Sequence, residues 1–164
     1  MTSPFENRDF VRLWSAALLS NYGSMLRGVA LPWLAVLVLD AEPRHMALLS
    51  AAALLPGFAL GLFAAPFLDR WRRRPVLVAS DLARALLLAG VGIGTSAGWL
   101  GLPALYAAAF ALGCFNFLFG VANAAYLPSL VAREQLLAAN SRLKAAEAAT
   151  EGAAFASAGW LVQW

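Results

Sequence analysis

Charged residues are few in this chain, and their spacing is what suggests chemistry. Asp69 and Arg70 open the run "DRWRRR", which continues through Arg72, Arg73 and Arg74 between two apolar stretches. A carboxylate at the edge of a low-dielectric region seeks an arginine or a helix N-terminus, so Asp69 with Arg70, Arg73 and Arg74 can make and break ion pairs. Asp81 and Arg84 lie inside the next apolar stretch. Three residues apart, they share one helical face and can pair with each other. Arg27 stands near the middle of the first apolar stretch, in "SMLRGVALP". Glu147 and Glu151, four apart, share a face of the last one. A carboxylate held in low dielectric can exchange protons near neutral pH, whereas one near a helix end can simply pair with Arg142 or Lys144. Asn21, Tyr22, Asn116 and Asn123 offer polar groups that can line a path or hydrogen-bond between helices. With one cysteine, Cys114, and one histidine, His45, the chain has neither an internal disulfide nor a His/Cys metal cluster.

The elements that must carry these residues are set by composition. Of 164 residues, 62% are hydrophobic and 13% charged, with a mean hydropathy of +0.70. That is far more apolar surface than a water-soluble core can use. Apolar runs long enough to cross about 30 Å of hydrocarbon, about 20 residues each as helix, recur instead. The predicted fold class is all-α, a polytopic transmembrane helix bundle of about five helices, with spans over 11–39, 47–68, 76–97, 104–127 and 143–164. The first span is expected to be interrupted at "SNYGSMLRG" and at Pro32, and the fourth to end at Pro128. It is too long for a signal peptide's apolar region, and more spans follow, so it reads as a retained helix.

Basic residues orient the spans. The N-terminus and the second and fourth gaps together hold nine arginines and lysines, against one, Arg44, in the first and third gaps. The excess marks the cytoplasmic side, so the chain is expected in the cytoplasmic membrane, multi-pass, with its N-terminus inside. The same clustering between apolar runs argues against nucleic acid as a partner, despite the net charge of +3; the partner is the lipid bilayer. "RWRRR" is in part a topological anchor. An anchor needs no aspartate, however, and no ladder of small residues before it. Gly57, Gly61 and Ala65 recur at every fourth position and make a packing face on the second helix that ends at Asp69.

"GLFAAPFLDRWRRRP" resembles the loop 2–3 signature of the major facilitator superfamily, a small residue followed by D-R-x-x-R-R, although glycine more often stands where Ala65 and Arg72 do. "FVRLWSAALLSNYGSMLRGVALPWLAVLVLD", Asp81 to Leu88, Ala125 to Val131 and "REQLLAAN" extend the likeness over nearly the whole chain. These segments are similar to the siderophore-exporter-like branch, of the enterobactin exporter type. The resemblance implies a twelve-helix transporter of two halves with substrate held near the midplane between them. This chain would then be an N-terminal portion whose partner is the missing C-terminal half. It further implies secondary active transport, proton-driven efflux of a small amphipathic or siderophore-like molecule, with neither cofactor nor metal. Arg27, Asn21, Tyr22, Asn116, Asn123 and Glu151 are the candidates for the substrate and proton pathway. Asp69, Arg70, Arg73, Arg74, Asp81 and Arg84 are the candidates for a conformational switch. Asp81 and Arg84 are expected one to two turns inside the cytoplasmic boundary, as a latch to the arginine loop. The antiporter pattern of glycine followed by proline is represented only by "GAAFASAG", without the proline.

Enzyme readings fail on their own terms. "GVGIG" lies within an apolar span and no acid occurs between Asp81 and Glu134, so a dinucleotide's ribose would have no partner. "DLAR" faintly resembles the metal motif of phospholipid head-group transferases, but the further aspartates that motif needs do not follow. A small membrane adaptor or assembly protein without transport activity is the alternative function.

Overall fold

The computed structural model describes residues 8–63, 72–131 and 133–161, all helices and short connections. Among the described residues five helices follow one another: α1 (Arg8–Leu39), α2 (Pro43–Phe63), α3 (Arg73–Ser96), α4 (Leu102–Leu130) and α5 (Leu136–Leu161), with a 3₁₀ turn, Arg133–Gln135, before the last. Four of them, α1 to α4, are long and apolar enough to cross a membrane. The fold is all-α, and the protein is a multi-pass membrane protein. Helix α5 has 26 residues but carries Arg142, Lys144, Glu147 and Glu151, and it falls outside that set.

Several helix ends differ from what the sequence suggests, each for a local reason. Helix α1 runs uninterrupted through "SNYGSMLRG" and Pro32. In hydrocarbon every backbone group must find a partner, so the chain stays helical and absorbs a single proline. Asp40 ends α1 in the left-handed conformation, φ 48°, and the Ala41 N–H closes back on the Ala35 carbonyl at 3.0 Å. Helix α2 begins at once with Pro43, where a missing N–H does no harm. Helix α3 starts at Arg73 rather than Val76, because Pro75 also falls within the first turn, where no helical N–H partner is needed. Arg73 and Arg74 are thereby helical residues. At its other end, Gly98 with φ 73° allows Gly98 N–H to bond Thr95 O and Trp99 N–H to bond Gly94 O, both at 3.1 Å. This left-handed cap satisfies two of the last carbonyls. Helix α4 continues past Pro128 to Leu130, and Ser129 Oγ donates to the Tyr126 carbonyl at 2.6 Å. Helix α5 starts seven residues earlier than expected, at Leu136.

The chain divides into two compact units, 1–30 with 125–164, and 31–124. In the second, the core comprises Leu31 and Ala35 of α1, Leu49 of α2, Val91 of α3, Leu100, and Leu105, Ala109 and Leu112 of α4. Contacts along the helices set their directions. Ala53 meets Gly113 while Gly57 and Gly61 meet Phe117, so α2 and α4 run parallel. Val91 belongs to the cluster that holds Leu105 and Ala109, whereas Arg84 reaches Asn116 and Phe119, so α3 and α4 are antiparallel. Helices α2 and α4 come close at Gly113, where a Cβ would lie 2.3 Å from the Ala53 carbonyl oxygen and 3.1 Å from Pro56 Cγ. No residue but glycine fits this crossing without moving a backbone. The Gly57 and Gly61 face does pack a helix, though through the ring of Phe117 laid over it; Ala65 lies outside the described residues.

In the first unit the amino-terminal part of α1 and helix α5 are joined by a hydrogen bond from Tyr22 Oη to Ser157 Oγ, 2.9 Å. The Ser157 hydroxyl donates in turn to Ala154 O at 3.0 Å.

Candidate functional site: a buried arginine at mid-helix

Helix α3 is amphipathic in an unusual sense. Its buried residues are Leu77, Ser80, Arg84, Val91 and Gly94, one stripe at helical spacing. Val78, Leu82, Leu86 and Ile93 occupy the opposite, exposed face, which suits contact with lipid. Arg84 therefore sits on the inner stripe among small and apolar residues, away from the greasy side, where an intramembrane cation must be to find partners. It lies about 16 Å from the Arg73 end and about 18 Å from the Ser96 end of α3, at 1.5 Å per residue. Because the helix starts three residues before Val76, Arg84 stands near the middle of α3.

Asp81, Asn116 and Phe119 are among the neighbours that hold this guanidinium. Its Nη2 donates to Asp81 Oδ1 one turn back. Nη1 donates to Asn116 Oδ1 on α4 at 3.2 Å. The Phe119 ring, one turn further along α4, lies 4.5 Å from Cζ, within cation–π range. The side chain of Arg84 is 8% exposed and that of Asp81 36%. Charge, hydrogen bond and ring together hold one orientation. An isolated cation here would be costly; a neutralised, hydrogen-bonded one is tolerated.

Asn116 belongs among the pathway candidates and Asp81 and Arg84 among the switch candidates, and the fold joins these into one cluster. Phe119 had no signal in the sequence beyond being one of ten phenylalanines. Asn123, seven residues beyond Asn116 and so on a similar face of α4, buries its Oδ1 without a hydrogen-bond partner among the described residues. The Tyr106 hydroxyl does the same and was not singled out by sequence. Gly120, between the two asparagines, is exposed, with no atom within 4 Å of where a Cβ would be.

The other candidates are placed less centrally. Asn21, Tyr22 and Arg27 are half-buried on α1, and Tyr22 is committed to Ser157. Glu147 pairs with Lys144 at 2.5 Å, one turn away, which is the alternative expected for it. Glu151 is exposed on α5. Arg73 and Arg74 are exposed in the first turn of α3. Asp69 and Arg70 lie outside the described residues. Among the described residues no three of His, Cys, Asp and Glu gather as a metal site.

Comparison with known proteins agrees with this picture. The family model for transmembrane secretion effectors within the major facilitator group matches residues 1–158. Uncharacterized MFS-type transporters of Mycobacterium bovis and of Mycobacterium tuberculosis are each 37% identical over 135 residues, 81% of this chain. The chain spans about 30% of the length of those relatives. No solved structure matches. With the family model matched over nearly its whole length and its helices long and apolar enough to span a bilayer, the chain belongs to the transmembrane secretion effector family of major facilitator transporters.

Proposed function

We propose that the chain forms part of a secondary active transporter that exports a small amphipathic or siderophore-like molecule across the cytoplasmic membrane, driven by protons. The observation that carries this reading is Arg84, an arginine half-way along a membrane-length helix, buried and held by Asp81 and Asn116. A bilayer protein with only a scaffolding role gains little from a charge buried along such a helix, whereas a transporter uses intramembrane polar groups.

In this reading Arg27, Asn21, Tyr22, Asn116 and Asn123 serve the solute path, and Glu151 carries the proton. Arg27 is the group for an anionic part of the solute. Asp69, Arg70, Arg73, Arg74, Asp81 and Arg84 belong to contacts that are made in one conformation and broken in the other. The N-terminus is cytoplasmic and the remaining half of the transporter completes the site. The exposed position of Glu151 is compatible with a carboxylate that faces that half.

The test is reconstitution of the complete transporter in liposomes with an imposed proton gradient and a panel of siderophore-like, amphipathic and control solutes. Gradient-dependent flux of a panel member is the expected result. Flux indifferent to the gradient removes the proton from the reading, and no flux with any solute favours a membrane adaptor. Asp69→Asn is expected to cut transport at least tenfold while leaving equilibrium solute affinity within a few fold, the signature of lost state exchange. Equal losses of binding and transport would place Asp69 in the solute site instead.

A further inference from the structure

An asparagine amide can point either way, but the guanidinium of Arg84 has only donors to offer. The oxygen of Asn116 must therefore face Arg84, as the 3.2 Å contact shows. That leaves the NH₂ group, which makes no hydrogen bond among the described residues. Asn116 is exposed even though Arg84 behind it is buried. On the next turn of α4 stands Gly120, exposed and with open space above it. An NH₂ group facing hydrocarbon lacks any acceptor and is penalised accordingly. Facing a solute or a water-filled path, the same group is a donor, and the adjacent cation polarises it further.

In this conformation Arg84 is tied to Asp81 on its own helix and lies over Phe119. It is thus too enclosed to meet a solute, yet well placed to set the direction of the amide that can. We propose that Arg84 is a positioning residue that locks the Asn116 amide with its NH₂ group outward, making the Asn116–Gly120 face of α4 a donor site for an anionic or carbonyl oxygen of the transported molecule. The inference rests on the transport reading for its solute, but its geometry can be tested without one.

The experiment uses the complete transporter in liposomes, with Cys114→Ala, every other cysteine of the transporter likewise replaced, and a single reporter thiol, Gly120→Cys. The thiol is reacted with the membrane-impermeant anionic probe methanethiosulfonate ethylsulfonate and with its cationic trimethylammonium counterpart. Each rate is normalised to that of free mercaptoethanol. The sulfonate is expected to be favoured on the order of three- to tenfold, the range of a local focusing field. Asn116→Ala and Asn116→Asp should each abolish the preference. The double variant Asp81→Asn/Arg84→Gln, which buries no unpaired charge, should abolish it as well, and Arg84→Lys should retain part of it. A thiol that reacts with neither probe, one without sulfonate preference, or a preference untouched by the Asn116 and Arg84 changes would each overturn the proposal. Failure of the transport reading shows separately, as absence of flux with any solute whatever the thiol chemistry.

Discussion

Arg84 and Gly113 are the two residues whose replacement should be felt most, for opposite reasons. Arg84 matters by what it holds. Removing one member of a buried pair leaves the other uncompensated, a loss of about 3–5 kcal/mol when both are fully enclosed. Asp81 is about a third exposed, so water or headgroups can recover part of its charge, and Arg84→Leu should destabilise by about 2 kcal/mol. The double variant Asp81→Asn/Arg84→Gln should recover at least half of that, read as the midpoint of unfolding in mixed detergent. Equal instability of the single and double variants would count against the ion pair as the cause. Gly113 matters by what it lacks. A methyl there meets the Ala53 carbonyl at 2.3 Å, a backbone atom that no rotamer change can move. Gly113→Ala should therefore separate α2 from α4 and destabilise by about 1–3 kcal/mol, while Gly120→Ala, with empty space around it, should be neutral in the same assay.

Helices α1 and α3 each end at a left-handed residue, Asp40 and Gly98. The α3–α4 turn has no charged residue, and its geometry depends on Gly98 at φ 73°. Two hydrogen bonds of the cap and the fold of Trp99 back over Gly94, with ring atoms 3.2 Å from the position of a Cβ, follow from that one residue. Gly98→Ala should cost about 1–2 kcal/mol, the penalty of a left-handed alanine, and should speed amide exchange at Trp99 and Leu100. Unchanged exchange would show the cap to be dispensable. Proline acts less strongly. Pro32, Pro56 and Pro128 all lie within helices, since the bilayer offers the chain no cheaper partner for its amides than the helix itself.

At the scale of the whole molecule the basic residues should decide which way the helices cross. Tags placed after Arg72 are expected to report the cytoplasm and tags placed after Glu42 the outside, because the arginine-rich gap stays where it was made. Fusion reporters with opposite compartment requirements would measure this, and a reversed pattern would refute the N-inside arrangement. Exposed leucines and phenylalanines such as Leu54, Phe58 and Leu62 of α2 suit lipid. The exposed residues of α5 include Leu137 together with Asn140, Lys144, Glu151 and Gly152.

Hydropathy alone determined that the chain is helical and lives in a membrane, since a stretch of 20 or more apolar residues has few other stable fates. It also located Asp81 and Arg84 as a pair, because spacing of three on a helix is a local property. Local rules could not reach Asn116. Its partnership with Arg84 spans 32 residues and depends on the antiparallel register of α3 and α4, which is set by packing. The same register selected Phe119, out of many aromatic residues, to lie over the guanidinium. The start of α3 was not legible either: a rule based on polarity ends the span at its arginines, whereas the backbone needs no N–H partners in a first turn and continues through Arg73 and Arg74. Gly113 had no pattern to mark it, as only the crossing of two particular helices makes its missing side chain necessary.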